Sequence, residues 1–169
     1  MGKRSDFQRV ERDFYPTPAS AVAPLLPHLR LHLRYAEPCA GDRALMDHLP
    51  QRCVFASDIE PRAAGIEQRD MFDLQLRDLQ GADMIITNPP WNRKFLHPML
   101  DRFSPMIPMW LLFDADWIHT KQSTPYLPHL RKIVSVGRVK WFGNMTGKDN
   151  CAWHYFHPEP GPVEFFGRT

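Results

Sequence analysis

A chain of 169 residues with 43% hydrophobic content can bury one sizeable core and shows no sign of a second domain. Its formal charge of +2 permits a phosphate-binding face without demanding one. Cys39, Cys53 and Cys151 are odd in number and lack C-x-x-C spacing, which argues against a disulfide framework or a zinc knot and predicts a reducing cytoplasm. The charged amino terminus is no signal peptide, no apolar run approaches membrane-spanning length, and Asp6 interrupts a myristoylation signal, so no membrane partner is expected.

Residues 1–13 are mostly polar and predict a flexible amino-terminal arm; residues 14–169 predict a single domain. Thr17-Pro18 reads as a helix start, with Thr17 as N-cap, and Pro24 and Pro27 keep that helix short or kinked. LRYAEP (Leu33 to Pro38) and CVFASD (Cys53 to Asp58) read as strands flanking a helical stretch from Ala44 to His48, a β-α-β rhythm. A third strand runs from Asp83 to Thr87 and ends at a proline pair. Phe95, Leu96, Met99, Leu100 and Phe103 have helical spacing within Arg93 to Phe103. MWLLFDA (Met109 to Ala115) suits a central strand buried on both faces. KIVSVGRVKWF and CAWHYFHP, joined by GNMTGKDN, predict an antiparallel hairpin closing a mostly parallel sheet.

Chemistry-bearing residues collect at the predicted strand ends, where open α/β sheets bind ligands. After the first strand, EPCAGD places Gly41 where the backbone can approach a ligand, although one glycine there is also an ordinary turn. After the second, SDIEP places Asp58 where a carboxylate can accept from ribose hydroxyls or cap a helix. RDMFDL offers Asp70 as an acceptor for an adenine amino group or as a surface loop acid. ITNPPW (Ile86 to Trp91) is the most specific segment. Its two prolines stiffen the backbone, so the Asn88 side chain and the Pro89 carbonyl can act as two acceptors aimed at one amino group. Trp91 supplies a flat face for a planar target.

In this ordered set the chain resembles the amino-group, N6-adenine DNA methyltransferases, especially the small members of phages and prophages. The motifs that carry the resemblance are FYPTP, EPCAGD, SDIEP, RDMFD, NPPW and GRVKWFGNMTGKDNCAWHYF. It implies an α/β, Rossmann-like methyltransferase fold, with a mostly parallel seven-stranded sheet and a C-terminal antiparallel hairpin. It implies S-adenosyl-L-methionine as cofactor, transfer of its methyl group to the N6 amino group of adenine, and a bacterial or phage-infected host cytoplasm as the setting. The residues implied for the cofactor are Tyr15, Thr17, Pro18, Glu37, Pro38, Cys39, Ala40, Gly41, Asp58, Ile59, Asp70, Met71 and Asn88. Those implied for catalysis are Asn88, Pro89, Pro90 and Trp91, with Trp91, Trp141 and Phe142 holding the target base.

The chain departs from this family twice. Members commonly carry a second glycine two positions after the first; here that position is Arg43, which either crowds the cofactor or turns outward. A separate target-recognition region is also missing, so specificity is expected from loops, the arm, a second subunit or a partner protein. The partner expected is nucleic acid, most simply DNA. An RNA (tRNA or rRNA) adenine methyltransferase, a protein glutamine methyltransferase and an inactive cofactor- or nucleic-acid-binding protein are the alternatives. Transfer is expected to be direct, with no metal; Cys39 reads as a packing residue, and Trp110, Trp117 and Trp153 read as core. Arg93, Lys94, Lys121, Arg138, Lys140 and Lys148 suit phosphate contacts or simply a solvated surface.

Overall fold

A computed structural model describes residues 14–141 and 149–168. The predicted arm, Phe142 and nearly all of GNMTGKDN lie outside the described residues. Eight strands form one sheet: β1 (Arg34–Glu37), β2 (Arg52–Asp58), β3 (Glu67–Gln68), β4 (Met84–Thr87), β5 (Met109–Asp114), β6 (Leu130–Arg138), β7 (Asn150–Phe156) and β8 (Glu164–Phe166). Their order is β3-β2-β1-β4-β5-β7-β6-β8. The first five are parallel, and β7 inserts antiparallel between β5 and β6. The hairpin expected at the end of the sheet is therefore present. The expected strand number, seven, is corrected to eight described strands. β3 and β8, of two and three residues at opposite edges, are too short to carry a period that a sequence reading can detect.

The helices form where the punctuation allows. α1 (Ala19–Val22) passes directly into a 3₁₀ turn, Ala23–His28, because Pro24 and Pro27 remove the backbone donors an α-helix would use. α2 (Ala44–His48) and α3 (Arg93–Phe103) have the expected bounds. Asn92 starts α3 by accepting from Lys94 N at 3.0 Å. The N-cap expectation at Thr17 is corrected: Pro18 occupies that position without a side-chain bond, and the Thr17 hydroxyl is used elsewhere.

Both sheet faces are covered. On one, Leu96, Met99, Leu100 and Phe103 of α3 pack with Ile85, Leu111, Phe113 and Phe156. Phe95, expected to share this stripe, is turned away from it and exposed. On the other face, Val22, Leu25 and Leu45 cover Tyr35, Ile86, Trp110 and Trp153. Trp153 also donates to the Ala21 carbonyl at 2.8 Å, so its indole N–H enters the core satisfied. Burial of each such large side chain contributes roughly 1.5–3 kcal/mol. Trp110, Trp117 and Trp153 are core residues, as expected. Sequential strands run outward from β1 to β3, and the chain then crosses back to place β4 on the other side of β1. This reversal opens a crevice at the carboxyl ends of β1 and β4, where the ligand sites of such sheets lie.

Candidate active site

A cavity of about 600 Å³ occupies that crevice. Residues from every nearby strand end line it: Glu37, Pro38, Cys39, Ala40 and Gly41 after β1, Asp58 and Ile59 after β2, Asp70 and Met71 after β3, and Asn88 and Pro90 after β4. Tyr15 and Thr17 close one side from the amino-terminal segment. The size suits a ligand of drug or nucleoside scale. Of the other residues singled out, Pro18 and Pro89 are not in the lining, and Pro89 is buried. Trp91 and Trp141 stand beside the cavity rather than in its wall.

The loop after β1 is shaped by its own backbone. Gly41 has φ +52°, and an added Cβ would stand 2.9 Å from the Phe14 ring, so both conformation and space require glycine. Asp58 reaches back to this loop: Oδ2 accepts from Gly41 N at 2.8 Å, while Oδ1 accepts from Glu60 N at 2.8 Å. Asp70 caps the short 3₁₀ turn Met71–Asp73 by accepting from Phe72 N at 2.9 Å. Both carboxylates thus hold loops in place while lining the cavity, and each oxygen keeps a further lone pair. Arg43 turns outward, towards Asp47 and the Ala64 carbonyl, and is absent from the lining. It nevertheless keeps the left-handed backbone, φ 75°, that a glycine would adopt freely.

Glu37 is 1% exposed, and its Oε2 has no hydrogen-bond partner. Burial, then the charges of Asp58, Asp42 and Asp47, hold its carboxyl well above the usual carboxylate range. A buried carboxyl with an unpartnered oxygen beside a cavity is a costly group that a cationic or donor-rich ligand would satisfy. Burial likewise raises the Cys39 thiol, and its Sγ lies 3.6 Å from Met71 Sδ, the setting of a packing cysteine rather than a nucleophile.

Asn88 has a fully specified amide. Its Nδ2 donates to the Tyr15 carbonyl at 3.3 Å and to Thr17 Oγ1 at 3.1 Å, and its Oδ1 accepts from Trp91 Nε1 at 3.1 Å. Beyond it, Trp141 meets Trp91 and Tyr15 edge-on, at centroid distances of 5.7 and 5.8 Å. Asn88 therefore sits where the cavity meets an aromatic wall.

Several lining residues escaped the sequence reading. Phe14 stacks under Arg62, whose guanidinium carbon is 4.0 Å from the ring centroid, and both line the cavity with Phe72 and Phe95. Phe95 carried no signal of this: at about 100° per residue it falls at the edge of the same apolar arc as Leu96, Met99, Leu100 and Phe103, and only packing turns it away. Among the described residues, no group of three or more His, Cys, Asp and Glu side chains is placed to hold a metal ion, and no helix is long and apolar enough to cross a membrane.

No protein-family model matches this chain, and no curated protein sequence does. Among solved structures, the chain is similar to the modification subunit of a putative type I restriction enzyme from Vibrio vulnificus YJ016. The TM-score is 0.59 at 14% identity, covering 92% of this chain and 47% of that one, so the chain spans about half the length of that subunit. It is also similar to the 23S rRNA methyltransferase ErmE, with a TM-score of 0.51 at 12% identity, covering 84% of this chain and 68% of the other. At these identities the likeness establishes the fold alone, a mixed α/β sheet shared with both proteins.

Proposed function

We propose that the chain is an S-adenosyl-L-methionine-dependent methyltransferase acting on the exocyclic N6 amino group of adenine in a nucleic acid, with DNA as the first substrate to test. The observation that carries the reading is convergence: the segments after β1, β2, β3 and β4 line one cavity, and Asn88 lies at its edge beside Trp91 and Trp141. The lining suits the cofactor. Glu37 offers a buried carboxyl with an unpartnered oxygen to a cation, Asp58 and Asp70 offer acceptors for hydroxyl and amino groups, and Ile59, Phe72 and Phe95 offer apolar surface for a purine. When bound, the cofactor supplies an electrophilic methyl group on a sulfonium centre.

The protein's own part is positioning. The adenine amino nitrogen is a poor nucleophile because its lone pair is delocalised into the ring. Asn88 Oδ1 and the Pro89 carbonyl would accept its two protons and favour the pyramidal nitrogen of the transition state, a positioning and electrostatic effect related to the oxyanion-hole donor whose removal costs about 2.7–4 kcal/mol. Trp91 and Trp141 supply aromatic surface for a base that has left its stack. Sequence recognition would come from loops, the amino-terminal arm, a second subunit or a partner protein. Calorimetric titration with S-adenosyl-L-methionine, followed by methyl-transfer assays on adenine-containing DNA and RNA, tests the reading. Cofactor binding with transfer to DNA is the expected result; transfer to RNA alone would move the substrate, and no binding would remove the function.

A further inference from the structure

The strap formed by residues 14–17 touches three parts of the site at once. Phe14 lies against Gly41, the Tyr15 ring meets Trp141 edge-on, and the Tyr15 carbonyl and Thr17 hydroxyl receive Asn88 Nδ2. A side-chain amide is nearly symmetric in shape, so only its hydrogen-bond partners decide which end carries the oxygen. Around Asn88 those partners are unequal. The Tyr15 carbonyl only accepts and the Trp91 indole N–H only donates, so reversal would set oxygen against oxygen at one end and N–H against N–H at the other. Thr17 is 4% exposed, so solvent is largely kept from replacing its hydroxyl.

We propose that Thr17 is a positioning residue: its hydroxyl, with the Tyr15 carbonyl, holds the Asn88 amide so that Oδ1 is presented to the incoming amino group. For the transfer step this rests on the reading of Asn88 as the amino-group acceptor. It reassigns Thr17, which the family resemblance would place among cofactor contacts. Because the same strap rests on Gly41, assembly of the glycine loop and orientation of the acceptor become one event. With the strap displaced, Asn88 loses both partners of its Nδ2, and the amide is free to turn.

Thr17→Val removes the hydroxyl at nearly constant volume, and Thr17→Ser keeps it. One readout needs no activity: the Asn88 side-chain amide signals in ¹H–¹⁵N spectra, identified by their loss in Asn88→Ala. Hydrogen exchange of that amide should quicken by about 10-fold or more in Thr17→Val and stay near wild type in Thr17→Ser, as expected for loss of a buried partner. The second readout is kinetic. At saturating cofactor, kcat should fall about 10- to 100-fold in Thr17→Val while cofactor Kd stays within about three-fold, and Thr17→Ser should recover the rate. If Thr17→Val is too unstable to study, Thr17→Ala carries the same expectations. Unchanged amide exchange overturns the proposal, as does a full rate recovered simply by adding cofactor. Quickened exchange in a protein that transfers no methyl group to any adenine substrate would support the positioning role and overturn the proposed function instead.

Discussion

The indole N–H of Trp91 donates to the side-chain oxygen of Asn88 at 3.1 Å. The residue that offers an aromatic face to a target base therefore also helps to orient the group that would receive the base's amino protons. Oδ1 has two lone pairs, and the indole occupies one of them. Trp91→Phe and Trp91→Tyr keep a π-surface but lose this donor, whereas Trp91→Ala loses both. Transfer should fall in the order wild type, then Phe and Tyr, then Ala. The first step is on the scale of one hydrogen bond, about 1 kcal/mol, and the second on that of base stacking, about 1–3 kcal/mol. Trp91 also packs against both cores, so melting temperatures must accompany the rates. Rates that merely track the folded fraction would make Trp91 a packing residue.

Asn88→Ala is expected to abolish transfer while leaving cofactor affinity within a few-fold of wild type, because the residue's proposed task lies with the target amino group. Asn88→Asp is a sharper variant, with similar shape but an acceptor where Nδ2 now faces the Tyr15 carbonyl and Thr17. It should be both inactive and less stable, by about 1 kcal/mol for the lost hydrogen bonds of this half-buried amide. Radiolabel transfer and denaturation midpoints measure the two effects, and an active Asn88→Ala protein would sink the mechanism.

Asp58→Ala removes the acceptor for both Gly41 N and Glu60 N. Cofactor affinity should weaken by about 1–3 kcal/mol, from lost contacts and a slackened glycine loop together. Calorimetry reads this directly, and an unchanged Kd would displace Asp58 from the binding site.

Glu37 makes binding pH-dependent in a defined direction. Its carboxyl is raised by burial and by Asp58, Asp42 and Asp47, so the folded protein holds the proton more tightly than the unfolded chain. That contribution to stability is complete below the ordinary glutamate range and is lost as pH rises through the raised value. A cationic ligand group at Oε2 would favour the ionised form, so cofactor binding should release a proton and strengthen as pH rises across this interval. Titrations in buffers of different ionisation enthalpy measure the proton. Glu37→Gln should abolish the release and flatten the pH profile, and equal release by the variant would assign the proton to another group.

Arg43 carries a left-handed backbone at φ 75° with its side chain turned outward. Arg43→Gly and Arg43→Ala delete the same exposed side chain but differ in how well they tolerate that conformation. The glycine variant should be the more stable of the two by about 1 kcal/mol in urea denaturation. Equal midpoints would mean that the loop relaxes to a different conformation when the side chain is removed.

What the sequence determined by itself was local. The bounds of α2 and α3 follow from apolar spacing and punctuation, and β5 follows from a continuous apolar run, because these signals depend on residues a few positions apart. The order of EPCAGD, SDIEP, RDMFD and NPPW along an alternating pattern was enough to predict that they meet, since a doubly wound sheet brings successive strand ends to one edge. What only the tertiary structure decided depends on distant segments. Thr17 and Asn88 are 71 positions apart, and nothing in TP or NPPW says that their side chains share a hydrogen bond. The requirement for glycine at position 41 comes partly from Phe14, which reaches it across the site. Glu37 sits in a short strand motif like any acid, and only enclosure by the sheet and its neighbours turns it into a buried carboxyl with an unpartnered oxygen. Period and propensity act along the chain, whereas burial, amide orientation and the unpartnered carboxyl oxygen arise when the chain closes on itself.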